Sequence, residues 1–225
     1  MTYRLYDFGP SPFCIKIRAL LDYKRQRYER IDVNGPRFLV LRRKNPTGKV
    51  PALEIDGELV ADSTDIAYAL EARHPEPSVL PEHPRDRALC HVLEDWADEA
   101  LYFYGLYHRW QDERGIETAS KVFPLPLRPF LTPAIGGGAR RQLRGQGVGR
   151  KSACQVADDL RRHLAACEAL LDGQPWLLGE RPMLCDFAVA SQLLYLSRTP
   201  TGAERLDAFS SLAGYLERFR DLRAR

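Results

Sequence analysis

The sequence predicts an α/β domain over residues 1–78 followed by an all-helical domain over 86–225, with a linker at 79–85 between them. Three observations carry this. The first stretch alternates short β-like and helical patterns in the order β-α-β-α-β-β-α. From Arg85 onward the apolar residues recur at helical spacing. Between the two, Pro75, Pro77, Pro81 and Pro84 form a stiff connection.

Tyr3 to Phe8 alternates and is rich in aromatic residues, so it reads as a strand that Gly9-Pro10 ends. Ser11 then stands at an N-cap position with Pro12 as the first helical residue. Phe13, Ile17, Leu20 and Leu21 follow on one helical face. Tyr28 to Val33 reads as a second strand, Asn34-Gly35-Pro36 as a turn, and Phe38 to Lys44 as a short basic helix stopped by Asn45-Pro46. Pro51 opens a third strand to Ile55, Asp56-Gly57 turns the chain, and Glu58 to Val60 returns. Asp62 and Ser63 offer capping groups to a helix with Ile66, Ala67 and Leu70 on one face.

In the second half, Leu89, Val92, Leu93, Trp96, Ala100, Phe103 and Tyr104 predict one long helix to about Glu113. Its aromatic run, Trp96, Tyr102, Phe103, Tyr104, Tyr107 and Trp110, suits an apolar substrate pocket or a core face. Residues 115–151 read as a basic, Pro- and Gly-rich loop insertion near the mouth of an active site. From Thr118 to Ala157 there are seven basic residues and no acidic one. Val156, Leu160, Leu164, Cys167 and Leu171 mark a further helix, and Asp186 to Ala190 begins the next.

The five cysteines are scattered and odd in number, which suits reduced thiols in the cytoplasm, and no Cys/His spacing suggests a metal. No stretch approaches a membrane span, so membrane association is not expected. A net charge of +3 is too mild to imply nucleic acid.

The candidate chemistry gathers where the first strand feeds the first helix. The unpaired N–H groups of a helix start favour an anion such as a thiolate. Ser11 places a hydroxyl there, and Cys14 a thiol one turn later. The stretch SPFCIKIR resembles the opening of the thioredoxin-like domain of the glutathione transferase superfamily, and GKVP and ADSTDI follow at fitting distances. The resemblance implies a homodimeric enzyme with glutathione as co-substrate and a small apolar electrophile as partner. Ser11 replaces the first cysteine of a redox pair, which favours a serine-type transferase with Ser11 as the catalytic hydroxyl and Cys14 or Tyr6 as alternatives. The resemblance also implies a cis Val50-Pro51 bond whose Val backbone pairs with the glutathione peptide. Asp62 and Ser63 would hold the γ-glutamyl end, and Lys49 or Arg37 the glycyl carboxylate. LLGERPMLCDFAVA resembles the buried turn and helix start of the transferase C-terminal domain, with Met183 in place of the usual Ser or Thr three residues before Asp186, and LRGQGVGRKS and WLLGERP are also similar to the C-terminal half of the failed-axon-connections and metaxin-like branch. Two other readings stay open: a thiol oxidoreductase using Cys14, and a non-catalytic binding module.

Overall fold

A computed structural model gives the fold and describes residues 1–34, 36–45 and 47–222. The expected turn at 34–36 and the helix stop at 45–46 each include a residue outside that set, Gly35 and Pro46. The first half runs β1 (Tyr3–Asp7), α1 (Pro12–Tyr23), β2 (Tyr28–Asp32), α2 (Pro36–Lys44), β3 (Ala52–Ile55), β4 (Glu58–Ala61) and α3 (Ser63–Arg73), the order that the alternating patterns predict. The strands form one sheet in the order β2-β1-β3-β4, with β1 parallel to β2 and the other pairs antiparallel. Because side chains alternate along a strand, Tyr3 and Leu5 of β1 enter the main core while Tyr6 faces a small separate cluster with Val33, Leu41 and Ala52.

The turn from β1 into α1 is fixed by a buried charge cluster. Asp7 is fully buried and accepts from Arg18 and from Arg30. Arg18 also donates to the Gly9 carbonyl at 3.2 Å, which ties the turn to the helix that follows it. Ser11 caps that helix, its hydroxyl oxygen accepting the Cys14 N–H.

The second half is helical, as expected, and adds α4 (Pro84–Trp96), a π-helical turn (Ala97–Leu101) and α5 (Tyr102–Trp110), which together make the predicted long helix. After it come α6 (Glu113–Ser120), α7 (Arg128–Gln146), α8 (Ala153–Leu170), α9 (Leu184–Leu196), α10 (Pro200–Leu206) and α11 (Ser210–Leu222). All of α9 is buried, packed against α1, α4 and α5, so one continuous core joins the sheet side to the helical side.

The expectation of a long loop at 115–151 is wrong. Most of the segment is α6 and α7, and a short 3-10 turn (Val148–Arg150) follows them. Pro129 falls in the first turn of α7, where a missing N–H costs little, and the helix continues past Pro133. Gly136, Ala139 and Leu143 are buried on one face. A Cβ on Gly136 would lie 3.2 Å from the Trp110 ring, so this glycine allows α7 its close approach to α5. Packing of that face overrides the low helix propensity of the glycines.

Candidate active site

A cavity of about 650 Å³ lies between the sheet side and the helices. Its polar wall includes Ser11, Lys49, Val50, Pro51, Asp62 and Ser63. The facing wall is mostly apolar, with Tyr102, Phe103, Leu106 and Trp110 from α5 and Val122, Ile135 and Ala139 from the α6–α7 segment. The fold therefore brings together, at one opening, six of the nine residues that the sequence singles out.

Ser11 is half-buried. Its oxygen accepts from the Cys14 N–H at 3.4 Å, and among the described residues its own hydrogen meets no acceptor, so it is available to donate into the cavity. The Val50-Pro51 bond is cis, as expected. The loop before it is held by Asn45, whose side chain donates to the Lys49 carbonyl at 2.8 Å and accepts from the Thr47 N–H at 2.9 Å. Asp62 sits at a φ of +81° and caps α3 by accepting the Thr64 N–H at 2.8 Å, with its carboxylate exposed at the rim.

Three candidates are corrected. Cys14 is fully buried and does not line the cavity; burial pushes its thiol up to about 12, although the Phe8 N–H donates to its sulfur. A neutral, enclosed thiol is a poor nucleophile. Tyr6 points to the other face of the sheet, where its hydroxyl donates to Glu54 at 3.2 Å and accepts from Lys44 at 3.4 Å. The alternation of β1 decides this, since Leu5 and Tyr6 cannot share a face. Arg37 is exposed on α2, reaches the Asp32 carbonyl at 3.5 Å, and stands outside the cavity lining.

One part of the site lay outside the sequence reading. Beneath Ser63 the fully buried Lys16 ammonium donates to Glu94 and, at 2.7 Å, to Asp98. It also reaches the Ser63 hydroxyl at 3.4 Å. Thr64 donates to Glu94 at 2.6 Å and Gln192 to Asp98 at 3.1 Å, so α1, α3, α4, the π turn and α9 meet at one buried network. Burial opposes the Lys16 charge, but the pull of Asp98 and Glu94 outweighs it and keeps the ammonium more firmly protonated than usual. Burial pushes the Asp98 carboxyl up, against the pull of Lys16. The signal was present: Lys16 lies three residues after Phe13 on the apolar face of α1, and Glu94 and Asp98 are an i, i+4 pair.

The aromatic run divides between two duties. Tyr102, Phe103 and Trp110 line the cavity, while Trp96 packs against His163 and Tyr104 and Tyr107 are buried. Phe13 meets Tyr102 at 5.0 Å between ring centroids, and Tyr102 stacks on Tyr195 at 6.0 Å. Burial pushes the Tyr102 hydroxyl up to about 12 and the Tyr195 hydroxyl higher still, so both are neutral phenols at neutral pH. Among the described residues, no group of three or more His, Cys, Asp or Glu side chains could hold a metal, and no helix is long and apolar enough to cross a membrane.

The chain is similar to known proteins. The family described as "Glutathione S-transferase, N-terminal domain" matches residues 5–78, and "Glutathione S-transferase, C-terminal domain" matches residues 139–218. Protein LigF of Sphingobium sp. is 30% identical over 210 residues, covering 86% of this chain and 79% of its own. The crystal structure of that beta-etherase has the same fold, with a TM-score of 0.72 at 23% identity over 99% of this chain and 98% of that one. The isoprene-epoxide–glutathione S-transferase of Rhodococcus sp. is 27% identical over 225 residues, 93% of this chain and 91% of its own. Failed axon connections of Drosophila melanogaster is 24% identical over 230 residues, which cover 94% of this chain and 54% of that longer relative.

Proposed function

The chain belongs to the glutathione S-transferase superfamily, and from that premise we propose that it binds glutathione and joins its sulfur to a small electrophile with apolar character. The observation that carries this reading is the position of Ser11, a capping hydroxyl with a free hydrogen between a polar wall and an apolar one. The glutathione peptide runs along the backbone at Val50-Pro51. Its γ-glutamyl carboxylate meets the start of α3 and the Ser63 hydroxyl, its ammonium meets Asp62, and Lys49 takes the glycyl carboxylate. The sulfur then lies at Ser11.

Ser11 donates to the sulfur, which favours the thiolate over the thiol. Lowering a thiol pKa by two units from about 8.5 takes about 2.7 kcal/mol. A hydrogen bond to a charged acceptor supplies about 1.5–3 kcal/mol, and a helix N-terminus about 0.3–1 kcal/mol more. The two together are the right size without any other base. The thiolate attacks the electrophilic carbon, a C–S bond forms, and the leaving group departs with the electron pair of the bond it loses. The relatives named for a glutathione S-transferase and a beta-etherase both suit this class of reaction. A second copy of the chain as partner and a cytoplasmic setting belong to the same proposal.

Calorimetric titration with glutathione tests it, together with thiolate absorbance of the complex across pH. Micromolar to millimolar binding with a sulfur pKa well below that of free glutathione is expected. No binding would favour the non-catalytic module instead.

A further inference from the structure

The apolar half of the cavity holds a positive charge that no described residue neutralises. Arg109 lines the cavity from α5, seven residues after Tyr102 and three after Leu106, on the face that the other α5 residues present. Its guanidinium lies 5.4 Å from the centroid of the Tyr195 ring. Among the described residues it makes no ion pair and no hydrogen bond. The neutral phenol of Tyr195 offers it a ring face but no counter-charge. Five N–H donors therefore face water or a ligand.

A wholly apolar substrate filling this space would strip water from a guanidinium and give nothing back, which is costly. A ligand with a carboxylate replaces that water with a two-point ion pair. Helical side chains lean toward the helix N-terminus, which carries the Arg109 fork back toward Tyr102. From there the rings of Tyr195, Tyr102 and Phe13 lead to the Ser11 end of the cavity.

We propose that the electrophile is an aromatic acid: Arg109 holds its carboxylate, Tyr102 stacks on its ring, and its reactive carbon faces the sulfur at Ser11. This substrate class rests on the glutathione reading of the site. The carboxylate takes no part in bond making; Arg109 is a specificity residue.

The probes are 4-chloro-3-nitrobenzoate and its methyl ester, each reacted with glutathione by the full-length chain. In both, the glutathione sulfur bonds to the ring carbon, the C–Cl bond breaks, chloride leaves with the electron pair, and the thiol proton goes to solvent. After division by the uncatalysed rates, the acid should exceed the ester in kcat/KM by about ten- to hundredfold, the size of one charged hydrogen-bonded contact. Arg109→Gln should bring that ratio close to one, and Arg109→Lys should restore part of it, since a point charge lacks the fork. An acid-to-ester ratio near or below one in the wild type overturns the proposal, as does a ratio that survives in a folded Arg109→Gln. If neither probe reacts, calorimetry of the two probes alone gives the same ratio as an affinity. Failure of glutathione itself to bind counts against the transferase reading, while loss of the acid-over-ester preference counts against Arg109.

Discussion

At Ser11 one hydroxyl serves the helix with its oxygen and is free to serve a ligand with its hydrogen. Ser11→Ala therefore removes a cap and a donor together. The cap loss is about 1 kcal/mol of stability, while loss of the donor to a thiolate should lower turnover about ten- to hundredfold. Glutathione affinity should change much less, because the hydroxyl matters most in the reacting state. Steady-state kinetics and calorimetry on one preparation check this; equal losses in both would mean that Ser11 binds without activating. A second residue-scale expectation concerns Asp186. It is fully buried, accepts from the Leu177 and Met183 N–H groups at 2.9 and 2.8 Å, and takes the Tyr215 hydroxyl at 3.1 Å. Burial, outweighing these hydrogen bonds, raises its carboxyl to about 6. The unfolded chain releases that proton near pH 3.9. The stability from this group is then full below about pH 4 and is lost as pH climbs through about 6. Urea unfolding of the wild type against Asp186→Asn should show the difference shrinking over that window and level above it. A difference that grows with pH would mean the hydrogen bonds outweigh burial.

At the scale of elements, the Lys16 network joins α1 to α3, α4 and α9 at the floor of the polar wall. Removing one member of a buried ion cluster leaves uncompensated charge, so Lys16→Met should destabilise by about 3–5 kcal/mol. Adding Glu94→Gln and Asp98→Asn to Lys16→Met should recover most of that loss, since the remaining groups are then neutral. The urea midpoints of the single and triple variants decide between this and a purely steric role for Lys16, in which the triple would be no better. The α7 helix shows why element identity was harder to read than the site. Each interior glycine costs a helix about 1 kcal/mol, and the run Gly136-Gly137-Gly138 after Pro129 and Pro133 reads as a loop in isolation. Its helicity comes from Gly136, Ala139 and Leu143 packing inward, with Gly136 against Trp110, a contact between residues far apart in the chain.

For the whole molecule, an apolar patch remains exposed on the side formed by α3 and α4. Val92 is 60% exposed, Leu89 39% and Tyr68 38%. Such a patch suits an isologous contact with a second copy. The expected outcome is a dimer in sedimentation velocity that Val92→Glu converts to a monomer, because a charge at the centre of a two-fold contact meets itself. A wild-type chain that stays monomeric at all concentrations would reject this. The α6–α7 region supplies part of the cavity wall through Val122, Ile135 and Ala139.

The sequence by itself determined the order of the first seven elements, the cap at Ser11, and the stretches around Val50-Pro51 and Asp62-Ser63, because each depends on residues within a few positions of one another. Strand alternation, helix caps and X-Pro bonds are local physics. Tertiary structure decided everything that needed a partner from elsewhere in the chain. It enclosed Cys14, turned Tyr6 to the far face of the sheet, and left Arg37 outside the cavity. It buried Lys16 against two carboxylates more than 70 residues away and left Arg109 facing the cavity without one. The physical reason is that burial sets the strength of a charge, and burial is fixed only when distant segments pack together.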